Sequence, residues 1–428
     1  MNALPIDSLE RSTIRAAGAR IVPLLIFAFI ISFLDRVNVG FAAISANKDL
    51  GLTATMYGFG AGLSFIGYSV FELPSNLALE RVGARRWLAR IMVTWGLIGC
   101  AMAWVHSPMS FYVVRFLIGA AEAGLFPGAI LYLTYWFPRR YRAGYIGLFA
   151  LGSPLANVLG APISGALLNL NGFFGMKGWQ WLYILEASPA VVLGLTIWAA
   201  LPDRPAEAHW LSTDQKAWLA GELAKEQNAG AHKNPLAMIL DGKVLFLSAV
   251  FFLTGGASYA LSLWLPQIIK GMGFSNIATG FLSAAPFLFG CIAMLLAGAW
   301  SDRSRERIWS TVHPNLLTFL GLMIGGLAPS PALQFFGVCL AAAGFFAAKG
   351  PFLALISESF SDSTAAAGIA LVSTLGSLSG FFAPSMVGWM KDHFHNYSLA
   401  FVGLAIQPLV GAALLLALHK RVLRKTSA

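Results

Sequence analysis

Long apolar stretches recur along the chain, and short polar segments separate them. Each stretch has about 20 residues or more, the length that a helix needs to cross a bilayer. The stretches are rich in Leu, Ala, Gly and Phe and lack the ten-residue alternation of a membrane β-barrel. The pattern predicts an all-α membrane protein with twelve transmembrane helices, near residues 20–45, 56–79, 87–105, 109–136, 143–169, 180–201, 244–269, 277–300, 309–327, 332–357, 365–390 and 397–419.

Composition agrees with this reading. The chain is 57% apolar and 11% charged, whereas soluble domains carry about 25% charged residues. The first apolar run contains Asp35 and Arg36 and lacks a small-residue cleavage pattern, so we expect no cleaved signal peptide. Cys100, Cys291 and Cys339 all fall inside predicted spans, so the sequence indicates no disulfide framework.

The net charge of +10 follows the predicted topology. With the N-terminus placed in the cytoplasm, cytoplasmic segments hold 22 Lys and Arg residues against 4 on the opposite side. This asymmetry is the positive-inside signal, and it predicts that both termini are cytoplasmic. The basic character therefore gives no reason to expect nucleic-acid binding.

The longest polar segment divides the chain into two halves. We expect a six-helix bundle over residues 1–201, a cytoplasmic linker over 202–243 and a second six-helix bundle over 244–428. Within the linker, Ser212 and Gln215 have capping-box spacing, which predicts a short surface helix.

A corner motif repeats in the two halves. "NLALERVGARRW" (76–87) follows the second predicted span and "GAWSDRSRER" (298–307) follows the eighth. Glu80 and Asp302 lie 222 residues apart, and each is followed at once by Arg. We assign a gating role to this motif, whose residues are Glu80, Arg81, Gly83, Arg85, Arg86, Asp302 and Arg303. Internal repeats with a binding site between them are typical of secondary transporters.

Charged residues deep in the spans are the strongest functional signal, because such residues normally face a polar interior and pair with one another. Asp35, Arg36, Arg115, Glu122 and Lys349 are the deep ones. One interpretation is structural: Asp35, Arg115 and Glu122 form an ion-pair cluster that holds the first and fourth helices together.

The other interpretation is functional. A buried carboxylate near an arginine can bind and release a proton, which makes Glu122 the first candidate for proton coupling and Asp35 the second, with Arg115 as charge partner. The planar guanidinium of Arg36 suits bidentate binding of a substrate carboxylate, unless it only pairs with Asp35. Lys349 is a candidate for binding a second carboxylate or polar end of the substrate. The alternative is that it only snorkels or supports the helix break at Gly350 and Pro351.

Four further residues combine hydrogen-bonding groups with a position inside a span: Tyr68, Asn157, Tyr259 and Trp264. A hydroxylated substrate in a dry pocket needs such partners. Each of them is also suited to packing one helix against another.

The chain resembles the anion:cation symporter family of the major facilitator superfamily. The resemblance rests on "FLDRVNVGFAA", "FELPSNLALERVGARRWLARIMVTWG", "GAAEAGLFPGAILYLTYWFP", "SLWLPQIIK" and "GWMKDHF". It implies the superfamily fold, proton coupling through Asp35 and Glu122, and binding of the substrate carboxylate by Arg36. The corner motif resembles the loop 2–3 signature of the superfamily but departs from it at Asn76 and Glu80. The chain departs from the family pattern at Leu353, Ser373 and Ser377, where substrate discrimination is expected.

We therefore predict a secondary active transporter of the inner membrane that takes up a small organic anion by proton symport. A hydroxylated carboxylate such as tartrate or a sugar acid fits best; an aromatic acid of the 4-hydroxyphenylacetate or phthalate type, or proton-independent anion exchange, are the alternatives. The predicted partners are the anion, the proton and the bilayer, with no cofactor or metal, and the functional unit is predicted to be a monomer.

An enzyme is not expected, because the His residues lie in loops or near span ends and the three Cys residues are far apart. Two related halves around central titratable groups favour alternating access over a channel.

Overall fold

Helices occupy all twelve apolar stretches in the computed structural model, which describes residues 6–150, 152–227, 240–360 and 365–426. The helices of the first half are α1 (Ile6–Asp49), α2 (Ala54–Val82), α3 (Ala84–Ala101), α4 (Pro108–Glu122), α5 (Leu125–Thr134), α6 (Arg139–Ala150), α7 (Gly152–Leu167) and α8 (Gly178–Ala200). The linker contains α9 (Thr213–Gln227). The second half has α10 (Gly242–Gly271), α11 (Asn276–Ser304), α12 (Ile308–Leu327), α13 (Pro331–Ser359), α14 (Ala365–Ser377), α15 (Ser379–Phe394) and α16 (Ser398–Thr426).

Within these described ranges, nine helical segments are long and apolar enough to cross a membrane. The other three predicted spans correspond to α2, to α6 with α7, and to α12. The described part of the chain is thus helical, with helices of the length and composition of membrane spans. The count of twelve crossings and the cytoplasmic side of the termini stay predictions.

Besides the span made of α6 and α7, two further predicted spans are each made of two helices instead of one. The fourth is interrupted between α4 and α5 at Gly124, which has φ of +90°. The eleventh is interrupted at Leu378, between α14 and α15. The span predicted near 109–136 is present as the segment Pro108–Thr134, but a glycine with left-handed backbone ends α4 within it.

The two halves meet at the end of the bundle opposite the linker, which we call the far end; the other is the linker end. Glycines bring backbones together there, since a Cβ on Gly40 would lie 2.9 Å from the carbonyl oxygen of Leu263. The Tyr57 hydroxyl donates to that same oxygen at 2.9 Å. Asn47 and Gln267 also join the halves, with 3.2 Å between Nδ2 and Oε1. These contacts hold the far end closed.

The linker helix α9 begins as predicted and packs on the first half. The Ser212 hydroxyl accepts from the Gln215 N–H at 3.2 Å, and the Gln215 side chain accepts from the Ser212 N–H at 3.0 Å, completing the capping box. Glu226 pairs with Arg142 at 2.9 Å, which ties α9 to α6. Whether residues 1–201 and 244–428 act as separate domains stays a prediction.

Small residues also set the packing of α2 against α4. A Cβ on Gly119 would overlap the backbone oxygen of Ser64. This close approach places the Ser64 hydroxyl 2.9 Å from the Arg115 guanidinium, which donates to it. The approach of α2 and α4 therefore positions a buried cation.

Candidate functional site

A cavity lies between the two halves, on the linker-end side of the contacts that close the far end. Together with the open solvent at its mouth, it has a volume of about 990 Å³. Its walls come from α1, α2, α4 and α7 of the first half and from α10 and α13 of the second. The lining residues are Phe33, Arg36, Val37, Phe65, Arg115, Ser153, Asn157, Phe251, Thr254, Gly255, Ser258, Tyr259, Ser262, Leu263, Phe345, Phe346, Ala348, Lys349 and Phe352.

Arg36 of α1 is one of two cations of the first half that line this cavity, the other being Arg115 of α4. The Arg36 guanidinium pairs with the Glu122 carboxylate, with 2.9 Å between Nη2 and Oε1. Ser32, one helical turn before Arg36, donates its hydroxyl to the same Glu122 oxygen. The guanidinium also lies 4.9 Å from the centre of the Phe33 ring and 5.4 Å from that of Tyr68. The Arg36 guanidinium is thus held by one carboxylate and by aromatic rings. Its remaining N–H groups face the cavity.

The helix break places Glu122 at this pair. Glu122 is the last residue of α4, directly before the interruption at Gly124. The freed carbonyl of Ala123 accepts the Ser75 hydroxyl at 2.6 Å, and Ser75 in turn accepts the Trp87 indole N–H at 2.9 Å. An interrupted membrane helix is stable where its freed backbone groups find partners, as they do here. The break therefore puts a carboxylate at the end of a half-helix, beside the binding cavity.

Asp35 lies on a different face of α1 and does not line the cavity. Its two carboxylate oxygens accept from the Trp95 indole and from the Asn38 amide, both at 3.0 Å. Arg115 lines the cavity but donates to the Ala61 carbonyl at 3.2 Å as well as to Ser64. Among the described residues, Asp35, Arg115 and Glu122 form no ion pair with one another, and Arg36 pairs with Glu122 and not with Asp35. The proposed ion-pair cluster is therefore absent from this conformation.

Lys349 of α13 is the cation that the second half presents. Its side chain is exposed within the cavity, and no carboxylate in the described parts of the chain pairs with it. Arg36 and Lys349 therefore approach one space from opposite halves.

Polar groups also line this space. Asn157 is 4% exposed, donates its amide to the Ser153 carbonyl at 2.9 Å, and leaves its Oδ1 without a partner. Tyr259 lines the second-half wall and packs on Phe65 with 4.6 Å between ring centres. Tyr68 reaches the site through its ring contact with Arg36.

Trp264 lies elsewhere. It is 2% exposed, donates its indole N–H to the Pro384 carbonyl at 3.2 Å and packs edge-to-face on Tyr57. It supports the closed far end and does not line the cavity. Leu353 likewise packs in a hydrophobic cluster of the second half, and neither Ser373 nor Ser377 lines the cavity.

The corner motif lies at the linker end in both halves. In the first, Asp203 accepts the Arg85 backbone N–H at 2.8 Å and lies against Gly83. In the second, Arg307 pairs with Asp302 at 2.8 Å and with Glu358 at 2.9 Å. The Arg307 pKa is raised by its hydrogen bonds to these two carboxylates.

No described contact joins the other members of the motif to the cavity: Glu80, Arg81, Arg86 and Arg303 all lie at these corners. Their gating role stays a prediction.

Sequence reasoning missed three groups near the site. Glu72 of α2 accepts the Thr374 hydroxyl from the other half, Ser32 supports Glu122, and Asp203 supports the first corner. Two of them carry a signal in their spacing, because Ser32 precedes Arg36 by four residues and Glu72 follows Tyr68 by four. Residues four apart share a helix face.

Comparison with known proteins agrees with the fold. The family model described as Major Facilitator Superfamily matches residues 25–384. A protein of Agrobacterium vitis named "Putative tartrate transporter" is 45% identical over 90% of each chain. The "Quinolone resistance transporter" of Acinetobacter baumannii is 38% identical over 97% of each chain.

Among solved structures, a bacterial homolog of the human lysosomal transporter Spinster, inward-facing and unoccupied, superposes with a TM-score of 0.77. It covers 93% of this chain and 96% of its own at 17% identity, which shows a shared fold. The matched proteins are membrane transporters, so the chain is a multi-pass inner-membrane transporter and not an enzyme.

Proposed function

The chain belongs to the Major Facilitator Superfamily, and we propose that it is a proton-coupled symporter that takes up a small organic anion by alternating access. The ion pair between Arg36, which lines the cavity, and Glu122 carries this proposal. The proposed driving force is the proton gradient, with no cofactor, and one chain forms the whole cavity, which supports a functional monomer.

Two cations support an anionic substrate. Arg36 offers a planar fork that matches a carboxylate, and Lys349 offers a point charge from the other half. A dicarboxylate or an acid with hydroxyl groups would contact both cations. Its hydroxyl group would donate a hydrogen bond to the Asn157 Oδ1, which has no other partner. The relative named as a tartrate transporter fits this chemistry.

The ion pair supplies a reason for coupling. Glu122 already occupies one side of the Arg36 fork, so an incoming carboxylate competes with it. A proton on Glu122 removes that competition and leaves Arg36 as a free cation for the substrate. Binding of the anion and binding of the proton therefore favour each other, which symport requires.

Far-end closure supports alternating access. The structure has its inter-half contacts at the far end and its cavity on the linker-end side. Transport then requires these contacts to part while the halves close at the linker end. The Glu72–Thr374 bond, which already joins the halves beside the cavity, is one contact that such closure would retain.

A second candidate substrate class is favoured by the cavity wall. Aromatic rings dominate it: Phe33, Phe65, Phe251, Tyr259, Phe345, Phe346 and Phe352. Offset and edge-on ring contacts would hold a planar aromatic acid between the same two cations. The relative named as a quinolone resistance transporter is compatible with such cargo.

The test is proton entry into proteoliposomes that contain a pH dye, with tartrate, sugar acids and aromatic acids added outside one at a time. We expect one class to drive acidification and Glu122→Gln to abolish it while labelled anion still exchanges. Glu226→Gln, a carboxylate of the linker far from the cavity, is the matched control and should behave as the wild type. Exchange of an anion without proton entry in the wild type would show an exchanger and refute symport.

A further inference from the structure

A second buried polar cluster lies in the first half, apart from the Arg36–Glu122 pair. It consists of Asp35 and Asn38 of α1, Trp95 of α3, Ser164 of α7 and Glu186 of α8, and we call it the Asp35–Glu186 cluster. Asp35 is 2% exposed, Asn38 is 0% exposed and Glu186 is 4% exposed. The Ser164 hydroxyl donates to Glu186 Oε1 at 2.7 Å, and Asn38 lies between the two carboxylates.

No described cation pairs with either carboxylate. Arg36 is engaged by Glu122, and Arg115, which also interacts with Tyr183, donates to Ala61 and Ser64. The other groups that face the cluster are the Tyr183 hydroxyl from α8, the Trp95 indole and Cys100 from α3, and the Ser164 hydroxyl from α7. Two ionised carboxylates without a cation are strongly unfavourable in so buried a place.

Two oxygen atoms of the cluster receive no hydrogen bond. Glu186 Oε2 and Asn38 Oδ1 are both buried and both without a partner. An ionised carboxylate and an amide oxygen only accept, so neither can satisfy the other. One proton on Glu186 Oε2 supplies the missing donor and removes one of the two like charges.

We propose that Glu186 holds a proton in this conformation and serves as a second proton site of the symporter, besides Glu122. The proton is bound at Glu186 Oε2 as an O–H bond and leaves from the same oxygen, with no change in electrons. The inference rests on the proposed symport for its place in the cycle, whereas the protonated state of Glu186 stands without it.

The position of the cluster indicates when the site loads. Ser164 lies near the C-terminal end of α7, and the adjacent Gly165 packs directly against Asn276 and Gly280 of α11. These contacts are among those that close the far end. Parting of the halves there would uncover α7 beside Ser164 and admit a proton from the far side; closure would trap it.

Infrared spectroscopy of the purified protein at neutral pH tests the protonated state directly. We expect a carbonyl band of a protonated carboxylic acid that is lost in Glu186→Gln and kept in Glu122→Gln, since Glu122 lies outside this cluster and pairs with Arg36. Ser164→Ala removes the hydrogen bond to the carbonyl oxygen of Glu186 and should shift the band to higher frequency without losing it. The proposal is overturned if Glu186→Gln keeps the band or, where that variant does not fold, if Ser164→Ala leaves the band unmoved.

The role of Glu186 in transport is tested by the number of protons moved per anion. This number is obtained in proteoliposomes from the membrane potential that just stops transport at a given pH gradient. We expect two in the wild type and one in Glu186→Gln, with exchange of labelled anion retained in both. An unchanged ratio in Glu186→Gln would make the proton a fixed structural one and refute the second site. Absence of any proton flux in the wild type, with the infrared band present, would refute symport and leave the protonated Glu186 standing.

Discussion

Asp392, near the end of α15, accepts the backbone N–H of Thr55, in the first turn of α2, at 2.7 Å across the boundary between the halves. Its other oxygen accepts the N–H of Ala54 at 3.1 Å. A carboxylate at a helix N-terminus satisfies free N–H groups and favours the positive end of the helix dipole. One half of the protein therefore caps a helix of the other, at the end where the cavity is closed.

Replacement of this cap should loosen the far end. Asp392→Asn removes a charge-assisted bond worth about 1.5–3 kcal/mol, so the α2 amides should exchange about tenfold faster or more. Hydrogen–deuterium exchange of peptides covering residues 54–57 measures this. Lys391→Gln is the control, because Lys391 bonds only within its own half, to His395 at 3.2 Å. Equal protection in both variants would contradict the role of Asp392.

Arg36→Ala should reduce anion binding at least about 100-fold, because a charged, bidentate partner contributes several kcal/mol when it is buried. Calorimetric titration measures the affinity. The single variant leaves Glu122 unpaired, so the double variant Arg36→Ala with Glu122→Gln separates loss of binding from loss of folding. Arg90→Ala serves as control, since Arg90 stacks on Trp87 away from the cavity. Wild-type affinity in the double variant would rule Arg36 out as the anion site.

Lys349→Met should distinguish substrates by their number of charged ends. We expect affinity for a dicarboxylate to fall about 10–100-fold, since an ionic hydrogen bond of about 1.5–3 kcal/mol is lost. Affinity for a monocarboxylate of similar size should change much less. Competition binding with a matched pair of acids gives both numbers, and an equal loss for both acids would show that Lys349 does not contact the second end.

Gly119→Val should lower the thermal stability of the purified protein. A side chain there overlaps the Ser64 backbone, and overpacking of this kind costs about 1–3 kcal/mol or more. Gly144→Ala is the matched control, because a Cβ at Gly144 meets no atom within 4 Å. The melting temperature should fall only for Gly119→Val; a similar fall for both would mean that helix packing at Ser64 is not the cause.

The sequence was sufficient for the helices, because bilayer thickness alone fixes the length of an apolar run. It also predicted α9, since the Ser212–Gln215 capping box is a local signal. The break at Gly124 was missed because glycine is common in membrane helices, and a left-handed glycine looks no different in sequence.

The sequence did not predict which partners the buried charged residues have. Asp35 and Arg36 are neighbours, yet about 100° of helix rotation sends one toward Trp95 and the other toward Glu122. Which helix faces each side of α1 depends on packing among segments 60 to 90 residues away. Trp264 shows the same limit, since nothing local distinguishes a tryptophan of a cavity wall from one that packs at the far end.

Arg36 and Lys349 stand on separate halves, with the cavity between them. Under the proposed function, a molecule that contacts both cations would draw the halves toward each other, whereas one that reaches a single cation would leave them apart. We therefore expect this pair to select the cargo by its length. Acids too short to span it would bind without being carried, acids too long would prevent closure and inhibit, and only those of intermediate length would become cargo.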